Sequence, residues 1–124
     1  MVIADETGRA DYIAADLLAQ CEHDPQARGA FITTSEQLAV EVVEEIERQL
    51  RQLATEDVAR RSWEDNGIIV VASTLADAVA YANDYAPEHL EIHAKDPKSL
   101  VPRLTSYGSL FLGESAAEVF ADKV

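Results

Sequence analysis

Pro87-Glu88-His89 places a carboxylate beside an imidazole immediately after a proline, at the junction between an apolar-periodic helix and a strand. A nearby carboxylate favours the protonated ring and holds its orientation, so such a pair can divide acid–base work during proton transfer. Taken alone, the dipeptide also fits a solvated turn whose histidine is favoured by a helix C-terminus. Upstream, Gln20 and His23 lie three residues apart at the end of a helical pattern, which sets their Cβ atoms about 5–6 Å from each other. There the imidazole nitrogen and the amide oxygen can form half of a site for zinc or a similar ion. A solvated helix end, again with the histidine favoured by the dipole, is the other reading. Cys21 between them reads as a small apolar core residue and Glu22 as solvated.

The elements that must position these groups alternate along the chain. Val2-Ile3-Ala4 reads as a strand, and a turn around Gly8 leads to a helix from about Ala10 to Cys21 with Ile13, Leu17, Leu18 and Cys21 turned inward. Asp24-Pro25 stops it. Ala30–Thr33 is a second strand, and Thr34 with Gln37 suggests a capping box for the longest helix. That helix carries the stripe Leu38, Val42, Ile46, Leu50 and Leu53, with its charged residues on a solvated face. Thr55 is a candidate cap for a further helix through Val58 and Trp63, closed by Asn66-Gly67 with the glycine in left-handed backbone. The unbroken apolar run Ile68–Val71 suggests a strand covered on both faces, at the centre of the sheet. A helix from Leu75 to Asn83 follows, ended by Pro87, which disfavours helical backbone at Ala86. Strand Leu90–Ala94, a short helix from Pro97 to about Ser106, and strand Ser109–Leu112 complete the pattern. The alternation predicts an α/β fold, a mostly parallel sheet with helices on both faces and right-handed crossovers. In such folds chemistry gathers at a sheet edge.

Composition narrows the classes of function. A chain of 124 residues, 48% of them hydrophobic, has material for one ordinary core, so residues 1–124 read as a single domain. Ten Lys+Arg against 23 Asp+Glu give a formal charge of −13, which disfavours nucleic acid and anionic membrane surfaces as partners. One cysteine excludes an internal disulfide, and no apolar run has the length of a membrane span or a secretory segment, so a cytoplasmic setting is expected. No Gly-x-Gly-x-x-Gly occurs, so a self-contained nucleotide site is not expected. The strand already under way at Val2 and the end at Phe120–Val124 suggest a segment excised from a longer chain.

Three stretches in order, Ala14-Ala15-Asp16-Leu17-Leu18-Ala19-Gln20-Cys21-Glu22-His23-Asp24, Ala86-Pro87-Glu88-His89-Leu90-Glu91-Ile92 and Gly108-Ser109-Leu110-Phe111-Leu112-Gly113-Glu114, resemble the histidinol dehydrogenase family over the whole chain. The resemblance implies an internal fragment of a longer, homodimeric enzyme, part of a Rossmann-like domain. Such enzymes oxidise a small polar alcohol with NAD, and a bound zinc orients the substrate. It implies that Gln20, His23 and Asp122 are zinc ligands and that Glu88 and His89 are the acid–base pair. Gln20, His23, His89, Asp122 and Lys123 would meet the substrate, and most of the NAD site and a further histidine ligand would lie outside this chain. The end departs from the pattern, with Ala117, Ala121 and Lys123 where Pro, Gly and Tyr are usual. Asp122-Lys123 is more like sulfopropanediol dehydrogenase relatives, in which a lysine would suit an anionic alcohol. The alternative from a different class is a non-catalytic acidic α/β binding or interaction module that keeps the family's shape.

Overall fold

In the computed structural model, residues 1–22 and 28–112 are described in full and residues 119–122 as backbone. The strands are β1 (Val2–Ala4), β2 (Ala30–Thr33), β3 (Ile68–Val71), β4 (His89–His93), β5 (Ser109–Leu112) and β6 (Val119–Asp122); the helices are α1 (Ala10–Glu22), α2 (Glu36–Leu50), α3 (Glu56–Asn66) and α4 (Leu75–Tyr85). They form one sheet in the order β3-β2-β1-β4-β5-β6, with β1 to β5 parallel and β6 antiparallel. The expected α/β class and the mostly parallel sheet are therefore found. Among the described residues no helix is long and apolar enough to cross a membrane.

Each face of the sheet has its own core. Val2 and Ala4 of β1, Phe31 of β2 and Ile69 of β3 meet Ile13, Leu17, Leu18 and Cys21 of α1 and the Leu38, Val42, Ile46 and Leu50 stripe of α2. On the opposite face Ile3, Ile32, Leu90, Ile92 and Leu110 pack with Ala78, Val79 and Ala82 of α4. The i, i+4 spacing in α1 and α2 and the alternation in the strands thus reach the same two cores. Trp63 packs against the first core, as expected, and Cys21 is fully buried there.

Several local expectations are corrected. β3 is an edge strand and not the centre, which belongs to β1 and β4. Its unbroken apolar run follows from facing both cores, Ile68 and Val70 on one side and Ile69 on the other, and that does not require a neighbour on each flank. Ser35, not Thr34, caps α2, its Oγ accepting from the Leu38 N–H at 3.1 Å. Position N3 is then Leu38, so no reciprocal capping box forms. Thr55 precedes α3 without a side-chain capping bond. Gly67 is extended (φ −67°) and not left-handed; a Cβ there would come within 2.4 Å of the Trp63 ring, so the glycine is needed for room. The segment after Pro97 forms two 3-10 turns, Pro97–Ser99 and Val101–Arg103, because Pro102 has no N–H to continue an α-helix.

Candidate active site

The last turn of α1 and the first residue of β4 meet at a cleft of about 410 Å³ whose lining includes Gln20, Arg28, Tyr85, Pro87, Glu88 and His89. The sequence put Gln20 and the Glu88-His89 pair far apart, and the chain topology brings them together. β1, β4 and β5 run parallel and begin at this edge, α1 returns to it, and antiparallel β6 ends there with Asp122 paired to Ser109. The site therefore lies at the amino edge of the parallel strands. The usual α/β location is the carboxyl edge, and this cleft lies at the opposite one. The difference arises because Glu88-His89 enters a strand and does not leave one.

Glu88 and His89 are held mainly through their backbones. The Glu88 carbonyl accepts from the Ser109 N–H at 2.8 Å and the Pro87 carbonyl from the Gly108 N–H at 3.2 Å. A Cβ on Gly108 would lie 2.5 Å from the Glu88 oxygen, so this approach requires glycine. On the other side Ala86 has left-handed backbone (φ 52°, ψ 60°), and its N–H closes α4 on the Ala82 carbonyl at 2.9 Å. Pro87 excludes the helical alternative there, and a non-glycine residue in this region stores about 1–2 kcal/mol. The side chains of both site residues are exposed, and the His89 ring tilts against Phe111 with centroids 6.4 Å apart. Tyr85 stacks on Tyr81 and walls the cleft.

His23 and Lys123 lie outside the described residues, and Asp122 is described as backbone alone. Gln20, His23 and Asp122 would offer an amide oxygen, an imidazole and a carboxylate, a donor set that suits zinc. Gln20 is partly buried in the cleft wall, and the Asp122 backbone stands at the same sheet edge. A dinucleotide does not fit the described residues. The turn between β1 and α1, where such folds seat a pyrophosphate, carries Asp5. Asp5 Oδ1 accepts from the Thr7 N–H at 2.9 Å and Oδ2 from the Lys95 N–H at 2.8 Å. Burial raises the Asp5 pKa, but these N–H bonds together with the Thr7 hydroxyl, which donates to Oδ1, outweigh it and the net shift is downward.

A second cluster escaped the sequence reading. His89, Glu91 and His93 alternate along β4 and share the face on which Val2 and Ala4 of β1 point toward α1. His93 Nε2 stands 2.7 Å from Glu91 Oε2 and 3.7 Å from Asp16 Oδ2 of α1, and the ligating atoms of Asp16, Glu91 and His93 all lie within 4.8 Å of one another. The side chains of Asp16, Glu91 and His93 are 23%, 14% and 0% exposed. Burial, then the bond to Glu91 and its charge, push Asp16 up to about 8; for Glu91, burial acts upward but the bonds from His93 and Asp16 bring it below its usual value. The signal was available as polar residues at i, i+2 and i+4 in an otherwise apolar strand. A larger groove of about 590 Å³, bounded by Arg9, Asp11, Glu45 and Arg48, is a surface of paired charges (Arg9–Asp11 2.9 Å, Arg48–Glu45 2.8 Å) lined by none of the residues of the two clusters.

Comparison with known proteins bears on this arrangement. The sequence profile of the histidinol dehydrogenase family matches residues 1–124. A histidinol dehydrogenase homolog of Shouchella clausii is 44% identical over all of this chain and 29% of its own length. The histidinol dehydrogenase of Bacillus thuringiensis is 48% identical over 98% of the chain and 28% of its own length. The crystal structure of histidinol dehydrogenase from Elizabethkingia anophelis superposes with a TM-score of 0.87 at 32% identity, covering 98% of this chain and 27% of that one. The chain thus spans less than a third of these relatives. From a profile matched end to end, close relatives over the full chain and a shared fold, the chain belongs to the histidinol dehydrogenase family.

Proposed function

We propose that the chain is the metal-holding and proton-transferring segment of a longer NAD-dependent dehydrogenase that oxidises a small polar alcohol, through the aldehyde, to a carboxylate. The observation that carries this reading is the single cleft shared by Gln20, Glu88 and His89. Gln20, His23 and Asp122 would hold zinc, which supplies a Lewis acid that orients the substrate oxygen. His89, exposed at the cleft wall, takes protons from the alcohol and from the hydrated aldehyde, and Glu88 activates water for the second oxidation. The acceptor NAD would be bound by parts of the enzyme outside this chain, and the full-length enzyme would be a homodimer.

Substrate choice follows from charge. Histidinol carries an amine and an imidazole that can be protonated, whereas a sulfopropanediol-like alcohol is anionic. Arg28 lines the cleft, and Lys123 follows Asp122 directly. Cations here favour an anionic group through a charge-assisted hydrogen bond of roughly 1.5–3 kcal/mol.

In the full-length enzyme, His89→Ala is expected to lower kcat about 100-fold or more with zinc content unchanged, and Gln20→Ala to lower zinc content. An unchanged kcat for His89→Ala would remove His89 from the chemistry. Replacing Lys123 with tyrosine is expected to move the ratio of kcat/KM for histidinol against sulfopropanediol toward histidinol, and a ratio that does not move would reject Lys123 as a selector.

A further inference from the structure

α1 and β4 carry the two sides of the cleft, yet apolar packing does not join them directly. The core beneath α1 draws on β1, β2, β3, α2 and α3 and contains no side chain of β4. On this face β4 presents His89, Glu91 and His93 instead. What reaches from β4 to α1 is the cluster of Asp16, Glu91 and His93, whose ligating atoms all lie within 4.8 Å of one another.

The position of that cluster relative to the cleft is regular. Asp16 and Gln20 are four residues apart on α1 and therefore neighbours on one side of the helix. Glu91 and His89 are two residues apart on β4 and therefore on one face of the strand. The approach of Asp16 to Glu91 thus lies one helical turn and one strand repeat from the two residues of the cleft. We propose that Asp16 and Glu91, backed by His93, are positioning residues that set Gln20 against His89 by sharing one proton; this rests on the reading of the cleft given above.

The proton inventory follows from the contacts. Two carboxylates whose oxygens lie within 4.8 Å are held together when one is protonated and donates to the other, since two ionised groups so close repel. Glu91 is the acceptor because it also faces His93 Nε2 at 2.7 Å. His93 Nδ1 is buried without a partner among the described residues, and Nε2 is the ring atom that meets Glu91. A cation bound to Nε2 would leave the ring proton on Nδ1, which has no acceptor among the described residues, and ligating histidines nearly always have one. The geometry therefore favours a hydrogen-bonded tie over a second metal site.

The test uses the full-length enzyme. Asp16→Asn keeps a donor toward Glu91 and is expected to retain kcat/KM within about threefold. Asp16→Ala removes the tie and is expected to lower kcat/KM about 10–100-fold, the range usual for groups that orient a metal site, with its thermal midpoint recorded. Glu91→Gln has a single oxygen to accept from both partners and is expected to fall toward the alanine variant. Retention in Asp16→Asn together with loss in Glu91→Gln is the signature of the tie, because both substitutions keep bulk and only the second removes the accepting carboxylate; full activity in Glu91→Gln would assign any loss in Asp16→Ala to packing and overturn the proposal. Equal damage from Asp16→Asn and Asp16→Ala, or full activity in Asp16→Ala, would overturn the proposal. Should Asp16→Ala fail to fold, asparagine against Glu91→Gln decides in the same way. Gln20→Ala and His89→Ala run alongside. If they too leave zinc content and kcat intact, the cleft reading falls and the tie with it. If they lower these while Asp16→Ala does not, the tie alone is rejected.

Discussion

Ala86 shows how much of the candidate site depends on single residues whose importance lies in the backbone. Left-handed backbone with a Cβ costs about 1–2 kcal/mol, and glycine returns part of that gain as unfolded-state freedom. Ala86→Gly is expected to stabilise the protein by about 0.5–1 kcal/mol, read from urea denaturation; a loss of stability would mean that Ala86 makes contacts worth more than its strain. Gly108 is the opposite case. A methyl group 2.5 Å from the Glu88 oxygen must push the Pro87-Glu88-His89 segment away, so Gly108→Ala is expected to cost about 1–3 kcal/mol and to lower kcat with it. Sequence reasoning found the Glu88-His89 pair because a proline and two titratable groups stand together. It misplaced the left-handed residue, putting it at Gly67, because glycine identity does not say whether a position needs an unusual φ or only space. The clearance that Gly67 and Gly108 provide depends on Trp63 and Glu88, partners that local sequence rules do not name.

At the scale of elements, periodicity was a good guide where one face of an element is apolar. The inward residues of α1, the stripe of α2 and the alternation of β4 were all legible on that basis. The polar face of β4 was in the sequence too, but its partner Asp16 became visible only when α1 was laid beside it. That pairing has a measurable pH dependence. Asp16 is raised from 3.8 to about 8, so in that window the folded protein keeps a proton that the unfolded chain releases. Its contribution to stability is complete below the unfolded value and is lost as pH rises toward about 8. Asp5 and Glu91, both lowered, act in the other sense, and their contributions are lost only as pH falls below the ordinary carboxylate range. Unfolding free energies at pH 5 and pH 8 are therefore expected to differ less in Asp16→Asn than in the parent. An identical difference in both proteins would show that Asp16 does not hold the proton.

For the whole molecule, the class of fold was legible from the residues but the strand order was not. Local patterns say which segments are strands, while order depends on which helix covers which face, and the apolar run of β3 satisfies an edge position as well as a central one. The same limit applied to the site, since the amino edge became its location only once β4 was seen to start at His89 and β6 to run backward to Asp122. The centre of the sheet also joins strands that are the most distant partners in sequence, Val2 beside Glu91 and Ala4 beside His93. Closing the largest loop carries the largest entropic cost, so the order of assembly in time runs against the order in space, and the middle of the sheet is completed late. Ile92→Val is accordingly expected to accelerate unfolding in stopped-flow measurements while leaving the refolding rate nearly unchanged, whereas a slowed refolding limb would place β4 in the nucleus. In a chain built this way the cleft between α1 and β4 would take shape as the final event of folding, because its two sides meet only when the last gap in the sheet is filled.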